Sequence, residues 1–376
     1  MLKEIKMSTQ NNITVLFDHQ AFEMQKFGGI SRYFYELIEN LPLHSELSLR
    51  LTTNHYLREG ACRPFQGMYV PERPYKWFKG IVKQWNRKGS IERLHRGDYD
   101  LFHPTYYHPY FLEELPANKP YVITVHDMNH ELFSASLGRA EQMKAWKHET
   151  ILHASRVIAI SEQTKADLLR FLPVEEDKID VIYHGIQQQK QPYNGLHLPK
   201  RYVLYVGDRN GYKNFDRFWN VFVRLAAEDQ HLCLICTGKP WRSWEQERIE
   251  KSGLNKRVLH FQANDLELGQ LFQQARLFVY PSLYEGFGIP ILEAFLNECP
   301  VALSRASCFP EVAADAGEYF NPEDEVSMYE ALSHLLKDEE RRQELIAKGK
   351  SRVQLFTWEE TARKTLDTYQ KVLNGY

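Results

Sequence analysis

Residues 277–300, LFVYPSLYEGFGIPILEAFLNECP, constrain the fold more than any other stretch of this chain. An apolar run at 277–280 predicts a buried strand, and the loop after it carries Glu285 and a Gly-Phe-Gly triplet at 286–288. Pro290 favours a helix start there, because proline in the first helical turn lacks only an N–H that would have no intrahelical partner. This order of strand, loop and helix places the start of the helix at the carboxyl end of a strand, where open α/β sheets bind ligands.

The predicted helix start near Ile289 is suited to an anion. A helix N-terminus carries roughly +0.5 of an elementary charge and free N–H groups, which together favour phosphate, and adjacent glycines allow the backbone to approach a ligand closely. Glu285 and Glu293 are placed to accept hydrogen bonds from hydroxyls, which favours a ligand containing sugar, ribose and diphosphate. Two alternatives remain open at this point: solvated surface carboxylates, and glycoside hydrolysis by a carboxylate pair flanking a bond.

The whole chain alternates short apolar runs with longer helical patterns, which is typical of parallel sheets with crossover helices. Residues 186–201 lack periodicity and are rich in turn formers, which indicates a linker between two domains. The predicted strands are 13–18, 47–54, 99–104, 121–126, 156–160, 179–183, 202–206, 232–237, 258–261, 277–281 and 300–303. The predicted helices are 30–41, 138–154, 162–171, 214–228, 243–251, 265–274, 325–336, 338–355 and 357–373.

Polar residues follow several of these strands. Arg209 and Lys213 come after strand 202–206, where an Arg fork or a Lys point charge can hold phosphate. His126 closes strand 121–126, and Gly28-Gly29 precede a helix near the end of the first strand. The alternatives are solvated surface charges, a buried structural histidine and a simple turn.

Three segments carry a resemblance to a known family: residues 277–300, RYVLYVGDRNGYKNF at 201–215, and RVIAISEQTKADLLRFLPVEEDKIDVIYHGI at 156–186. They resemble the retaining family 4 glycosyltransferases, which have the GT-B fold and a glutamate-pair signature, and Pro310-Glu311-Val312 follows as in that family. The resemblance covers most of 13–373 and is weakest at about 55–98. It implies an acceptor-side Rossmann-like domain at 1–190, a nucleotide-sugar-binding Rossmann-like domain at 196–356, and a C-terminal helix at 357–376 that returns to the first domain, with a cleft between the domains.

The resemblance also implies an activity and a site. We expect retaining transfer of a hexosyl group, with mannosyl favoured, from GDP-mannose or a UDP-hexose to a hydroxyl of a growing polysaccharide or a lipid-linked glycan. The alternatives are a sugar-nucleotide epimerase on the same fold and a non-catalytic nucleotide-sugar-binding subunit. His126 and Glu285 are the expected catalytic residues. The expected donor-binding residues are Gly28, Gly29, Arg209, Lys213, Gly286, Phe287, Gly288, Ile289 and Glu293.

We expect no cofactor and no metal. Asp98 and Asp100 have the Asp-x-Asp spacing of the metal-dependent glycosyltransferase fold, but they precede a strand and are expected at the amino edge of the sheet. Asp127, His130 and Glu131 follow His126 closely, yet a residue that ends a strand does not share a helix face with them. Cys233 and Cys236 lie three apart in a predicted strand and so point to opposite faces.

Composition limits the partners. The 376 residues carry a formal net charge of −2, which gives no nucleic-acid footprint, and the five scattered cysteines fit a reducing cytoplasm. No apolar stretch has the length of a membrane span, and the N-terminus lacks a signal-peptide pattern. Residues 73–96 hold eight Lys or Arg, one acid and interleaved aromatics, which suits either an anionic membrane surface or a core-facing helix with a solvated basic face. We therefore expect a cytoplasmic protein, peripheral at the inner face of the plasma membrane if 73–96 binds lipid.

Overall fold

The computed structural model describes residues 13–59, 62, 64–134, 138–187 and 193–375. The chain divides into two compact units: unit 1 is Met1–Gly185 together with Trp358–Tyr376, and unit 2 is Ile186–Thr357. Both units are α/β, and in both the strands pair in parallel. Among the described residues, none of the helices combines the length and apolar character that crossing a bilayer requires.

Among its described residues, unit 1 contains one two-stranded parallel sheet and two three-stranded parallel sheets, and the latter two meet at one bridge. Their orders are β2-β1-β5 and β6-β7-β8, and the bridge joins Phe102 to Tyr121. The strands are β1 (Thr14–Phe17), β2 (His44–Leu47), β3 (Leu51–Thr52), β4 (Met68–Tyr69), β5 (Leu101–His103), β6 (Val122–Val125), β7 (Arg156–Ala159) and β8 (Ile179–Val181). The helices are α1 (Gln20–Met24), α2 (Gly29–Asn40), α3 (His55–Glu59), α4 (Glu72–Arg96), α5 (Asn129–Leu132), α6 (Ala140–Leu152) and α7 (Glu162–Phe171).

Unit 2 contains one six-stranded sheet in the order β11-β10-β9-β12-β13-β14. Its strands are β9 (Tyr202–Tyr205), β10 (Cys233–Cys236), β11 (Val258–His260), β12 (Leu277–Tyr280), β13 (Val301–Ser304) and β14 (Gly317–Phe320). Its helices are α8 (Phe215–Glu228), α9 (Ser243–Lys251), α10 (Asp265–Gln274), α11 (Ile289–Leu296), α12 (Phe309–Ala313), α13 (Glu325–Lys337) and α14 (Glu339–Val353). The last helix of the chain, α15 (Trp358–Leu373), belongs to unit 1.

Local sequence explains these elements well. In α8 the residues Phe215, Phe218, Trp219, Phe222 and Leu225 are all buried, and their spacing of three and four is that of one helix face packed on a sheet. Helix α10 begins with a reciprocal capping box. The strands β9, β12 and β13 are buried along their whole length, as expected of parallel strands covered on both faces.

The α/β class and the parallel sheets are confirmed, whereas several predicted boundaries are wrong. The predicted strand 47–54 is two strands, β2 and β3, separated by residues 48–50. Strands β4 and β14 and helices α1, α3, α5 and α12 were not predicted, because each has only two to five residues and so shows little periodicity. Within the predicted linker at 186–201, residues 188–192 lie outside the described residues, and the remainder contains no helix or strand.

Unit 1 holds α15 through its buried aromatic residues. Trp358 and Tyr369 belong to the same core cluster as Val15, Phe34 and Leu101. The hydroxyl of Tyr369 lies 2.6 Å from Nδ1 of the fully buried His103, whose Nε2 lies 3.0 Å from Oγ1 of Thr124. The core of unit 1 is therefore built from residues far apart in the sequence.

Candidate functional site

The sheet of unit 2 has a topological switch point between β9 and β12. From β9 the sheet continues through β10 and β11 on one side, and through β12, β13 and β14 on the other. Tyr205 of β9 is the register partner of Val279 of β12, so the loops after these two strands begin at the same level. The carboxyl ends of strands at such a point form the crevice in which doubly wound sheets bind ligands.

The loops after β9 and β12 are tied together by hydrogen bonds. The amide of Leu283 donates to the carbonyl of Tyr212 at 2.7 Å, and Nδ2 of Asn214 donates to the carbonyl of Pro281 at 3.0 Å. The same Nδ2 also donates to the carbonyl of Pro322 at 2.7 Å. The buried Asn214, in the left-handed backbone region with φ 56°, therefore holds three loops at this edge of the sheet. The sequence prediction passed over it, although an asparagine tolerates this conformation.

Lys213 and Glu285 form an ion pair between these two loops. Nζ of Lys213 lies 2.6 Å from Oε1 of Glu285, and the two side chains are 19% and 11% exposed. Burial acts to lower the pKa of Lys213, but the Glu285 carboxylate outweighs it and leaves the pKa raised. Lys213 is thus a cation at neutral pH, and both charges lie at the switch point.

Further contacts fix the loop that carries Glu285. Oγ of Ser307 donates to the carbonyl of Glu285 at 2.7 Å and accepts from its amide at 3.2 Å. Burial, followed by the Glu285 carboxylate, raises the pKa of Tyr280 well above its usual range. The predicted site omitted Ser307 and Tyr280, because neither stands in a recognisable spacing relative to Glu285.

Helix α11 begins at Ile289, with Pro290 as its second residue rather than its first. Gly288 has a left-handed φ of 93°, and a Cβ there would lie 3.2 Å from Ile291 and 3.2 Å from Phe309, so glycine is required on both counts. Gly286 and Phe287 are buried, and Glu293 is half-buried on α11. The predicted turn therefore exists, with its glycines at the start of α11.

The side chain of Arg209 is buried and paired within unit 2. Its side chain is 3% exposed, and Nε lies 2.8 Å from Oε1 of Glu245, which is 5% exposed. Its Nη2 donates to the carbonyls of Lys239 at 2.7 Å and Pro240 at 3.1 Å, and its guanidinium lies 4.2 Å from the ring centroid of Trp241. Arg209 thus ties its own loop to the loop after β10, and its buried Nη1 has no hydrogen-bond partner among the described residues. Its role as a donor-phosphate ligand stays a prediction. The sequence offered no signal for this, because the pairing with Glu245 spans 36 residues.

His126 lies in unit 1, directly after β6, and is 7% exposed. Its amide donates to the hydroxyl of Tyr107 at 2.9 Å, and its buried Nε2 has no hydrogen-bond partner among the described residues. Burial, aided by the neighbouring His103 and Lys147, lowers the pKa of His126 to about 3. The imidazole is therefore neutral at physiological pH.

An unpredicted buried ion pair supports the segment after His126. The fully buried Lys147 of α6 lies 2.9 Å from Oε2 of Glu131 and donates to the carbonyl of Asp127 at 2.9 Å. Lys147 thus neutralises the carboxylate of Glu131, which a metal site at His126 would have needed as a ligand. Nothing in the helical pattern at 138–154 predicted that Lys147 would be buried.

Gly28 is the residue before α2 and Gly29 is its first residue, one position earlier than the predicted start, and the first turn of the helix is already engaged. Oε1 of Gln25 accepts from the amide of Ser31 at 3.3 Å, and a Cβ on Gly28 would lie 2.2 Å from that same oxygen. Nothing lies within 4 Å of a Cβ on Gly29. The Gln25 side chain thus takes up one of the N–H groups that the prediction left open.

The predicted Asp-x-Asp alternative is structural in this chain. Asp98 pairs with Arg93 at 3.1 Å, and Oδ2 of Asp100 accepts from the amide of Thr14 at 2.8 Å, both before β5 begins. In the part of the chain that the structure describes, no group of three or more His, Cys, Asp or Glu residues is arranged to hold a metal ion.

Two family models match this chain. The model described as Glycosyltransferase Family 4 matches residues 27–190, and the model described as Glycosyl transferases group 1 matches residues 187–352. Together they span both units. The chain belongs to the group 1 and family 4 glycosyltransferases and has the GT-B fold.

Similar proteins agree with this placement. The O-antigen chain mannosyltransferase B of Escherichia coli is 27% identical over 73% of this chain and 74% of its own length. The O-antigen chain mannosyltransferase RfbU of Salmonella typhimurium is 27% identical over 59% of this chain and 62% of its own length. A solved structure of sucrose-phosphate synthase from Thermosynechococcus elongatus matches with a TM-score of 0.73 at 20% identity, covering 96% of this chain and 99% of the other.

Proposed function

We propose that this glycosyltransferase transfers a hexosyl group, with mannosyl favoured, from a nucleotide-diphosphate sugar to a hydroxyl of a growing polysaccharide or a lipid-linked glycan, with retention and without a metal. The observation that carries the proposal is the Lys213–Glu285 pair, 2.6 Å apart at the β9/β12 switch point and followed by the start of α11. Two relatives that are named mannosyltransferases support the choice of sugar.

The proposed chemistry follows from the charges. A nucleoside diphosphate is a good leaving group, so the transition state chiefly requires stabilisation of negative charge that builds on the departing phosphate. Lys213 and the first amides of α11, near Gly288 and Ile289, are the groups we assign to it. On donor binding, Lys213 would exchange part of its contact with Glu285 for phosphate oxygens.

The two glutamates receive different roles. We assign Glu285 to hydroxyls of the transferred sugar, with its charge supporting an oxocarbenium-like centre. We assign the half-buried Glu293 to the ribose hydroxyls. The neutral His126 of unit 1, whose buried Nε2 has no partner among the described residues, is the group we assign to a sugar hydroxyl.

The test starts with the donor. The purified chain is screened by thermal shift against GDP-mannose, GDP-glucose, UDP-glucose, UDP-galactose and dTDP-glucose, and the best donor is then incubated with glycan and lipid-linked acceptors. We expect one donor to stabilise the chain, a glycosylated product with the α-anomeric configuration of the donor by NMR, and the same rate in excess EDTA. Inversion of the anomeric centre would refute retention, and a complete loss in EDTA that Mg²⁺ or Mn²⁺ restores would refute metal independence.

The same incubation separates the alternatives. An epimerase would convert the donor into its epimer without any acceptor, which the NMR spectrum of the sugar nucleotide detects. A non-catalytic subunit would bind the donor and give neither transfer nor slow donor hydrolysis. Either result would replace the proposed activity while leaving the donor site in unit 2 intact.

A further inference from the structure

Unit 1 has a topological switch point of its own, between β1 and β5. One of its sheets has the order β2-β1-β5, so the chain continues from β1 to one side and returns on the other. Phe17 of β1 is the register partner of His103 of β5, and the loops after these strands therefore begin at the same level. The carboxyl ends of strands at such a point are where doubly wound sheets bind ligands.

The fully buried carboxylate of Asp18 ties these two loops together. It accepts from the amide of Thr105 at 2.9 Å, from Oγ1 of Thr105 at 2.6 Å and from the hydroxyl of Tyr110 at 2.9 Å. Gln20 adds a reciprocal pair, because its Oε1 accepts from the amide of His108 at 2.9 Å and its Nε2 donates to the carbonyl of His108 at 3.3 Å. The two loops are therefore fixed relative to each other.

His19, in the loop after β1, has its ring proton fixed by two serine hydroxyls. Nδ1 of His19 lies 2.7 Å from Oγ of Ser90, and that hydroxyl donates its single proton to the carbonyl of Ser48 at 2.9 Å. The hydroxyl of Ser48 in turn donates to the carbonyl of Phe17 at 3.0 Å. Because both hydroxyl protons are used, Nδ1 of His19 is the donor to Ser90. Burial lowers the pKa of His19, so the ring is neutral and its Nε2 carries a lone pair.

His108, in the loop after β5, has the opposite tautomer. Its Nδ1 accepts from the amide of Tyr110 at 3.2 Å, and an amide N–H can only donate. Burial, followed by the charge of Arg87, lowers the pKa of His108, so the ring is neutral and its proton is on Nε2. His19 thus offers a hydrogen-bond acceptor and His108 a donor. The centroids of the two rings lie 5.3 and 6.0 Å from the ring centroid of Tyr110.

The Nε2 atoms of both histidines are left for a ligand. Among the described residues, neither Nε2 of His19 nor Nε2 of His108 has a hydrogen-bond partner. His19 is 6% exposed and His108 is half-buried, so each ring is held by its neighbours and still reaches the surface. The half-buried ring of Trp146 lies 4.5 Å from that of His108, and aromatic faces with a few fixed polar groups are typical of ligand sites.

We propose that His19 and His108 bind a hydroxyl of the acceptor glycan. The hydroxyl donates to Nε2 of His19 and accepts from Nε2–H of His108. An ammonium group cannot accept and a carboxylate cannot donate, so neither matches this pair of neutral rings, whereas a hydroxyl does both. The inference rests on the proposed transfer to a glycan hydroxyl, and it names the side chains of unit 1 that hold that acceptor.

The test uses variants that keep the contact made by Nδ1 and remove Nε2. In His19→Asn the side-chain amide can still donate to Ser90, and in His108→Asn the side-chain carbonyl can still accept from the amide of Tyr110. We expect each variant to raise KM for the acceptor by about tenfold, which is the loss of one hydrogen bond. KM for the donor and the slow hydrolysis of the donor without acceptor should not change.

His153→Asn is the matched control. Nδ1 of the exposed His153 lies 2.8 Å from the carbonyl of Glu149, a contact that asparagine can keep, so this variant should leave both KM values unchanged. Thermal melts of all three variants check that the fold is kept. In addition, the ring nitrogen shifts of the free chain, measured by NMR, should show Nδ1–H for His19 and Nε2–H for His108.

The outcomes separate this inference from the proposed activity. It is overturned if either ring has the other tautomer, or if both asparagine variants keep the wild-type KM for the acceptor while transfer proceeds. It is also overturned if the variants lose donor hydrolysis as much as transfer, since the histidines would then have only a structural role. If the wild type transfers to no acceptor, the proposed function is refuted and this inference with it, whatever the tautomers.

Discussion

Three of the buried histidines in unit 1 should make its stability strongly dependent on pH. His103, His126 and His184 are 0%, 7% and 3% exposed and lie against the aromatic rings of Tyr33 and Phe34. Burial lowers the pKa of His103 to about 3 and, with His103 and Lys147, that of His126 to about 3. Burial, followed by the charge of His126, also lowers the pKa of His184 well below its usual range.

The direction and size of the effect follow from these shifts. In the unfolded chain a histidine takes up a proton near pH 6.5. In folded unit 1, His103 and His126 stay neutral down to about pH 3, and the pKa of His184 lies well below its usual range. The unfolded state binds more protons throughout that window, so stability falls as the pH falls. Between pH 7.5 and 5.5 each histidine lowers the free energy of unfolding by about 1 kcal/mol, and the three together by roughly 3–4 kcal/mol. That is a large share of the 5–15 kcal/mol typical of a domain.

The assay is urea unfolding at pH 7.5, 6.5 and 5.5, with hydrogen exchange of the β5 and β6 amides to follow unit 1 separately from unit 2. Over the same pH range the variant His103→Asn should lose about 1 kcal/mol less stability than the wild type, because one buried histidine no longer titrates. A loss below about 1 kcal/mol in the wild type, or an equal loss in His103→Asn, would refute the reasoning. The exposed His44 provides the control through the variant His44→Asn, measured over the same pH range.

Three substitutions in unit 2 separate catalysis, donor binding and structure. Glu285→Gln keeps the shape but removes the charge, so the turnover number should fall by about 100-fold or more; a rate within threefold of wild type would remove Glu285 from the chemistry. Glu293→Ala should raise KM for the donor by about tenfold with kcat little changed, and the opposite pattern in steady-state kinetics would show that its role is misassigned. Arg209→Gln leaves the buried Glu245 carboxylate without its partner and should cost about 3 kcal/mol in urea unfolding with donor KM unaffected. If the Arg209 variant is stable but binds the donor more weakly, Arg209 would instead be assigned as a ligand of the donor phosphate.

The sequence was sufficient for features encoded within a few residues. The strand β12, the glycine turn and α11 follow one another over 277–296, so apolar pattern, glycine and proline predicted them with an error of one residue at the helix start. The approach of Lys213 to Glu285 was also accessible, because both follow strands that doubly wound topology places side by side.

Features that depend on distant partners were out of reach. The pairing of Arg209 with Glu245 and the burial of Lys147 against Glu131 are decided by which loops and helices meet, which no local spacing reports. The position of Arg209 after β9 gave no indication that Glu245, in the first turn of α9, would lie beside it. Short elements such as β4 and α12 were missed for a different reason, because two to five residues carry almost no periodic signal.

The assignment of α15 to unit 1 has a consequence for biosynthesis. Unit 2 is one uninterrupted segment, whereas unit 1 receives Trp358 and Tyr369 only after all of unit 2 has been translated. On the ribosome, unit 2 can therefore complete its fold first. Until α15 is made, the amino-terminal half has a gap beside His103, at the place that the side chain of Tyr369 fills in the folded protein. Chains that stall or are clipped before residue 358 should expose that gap and become substrates for chaperones and proteases.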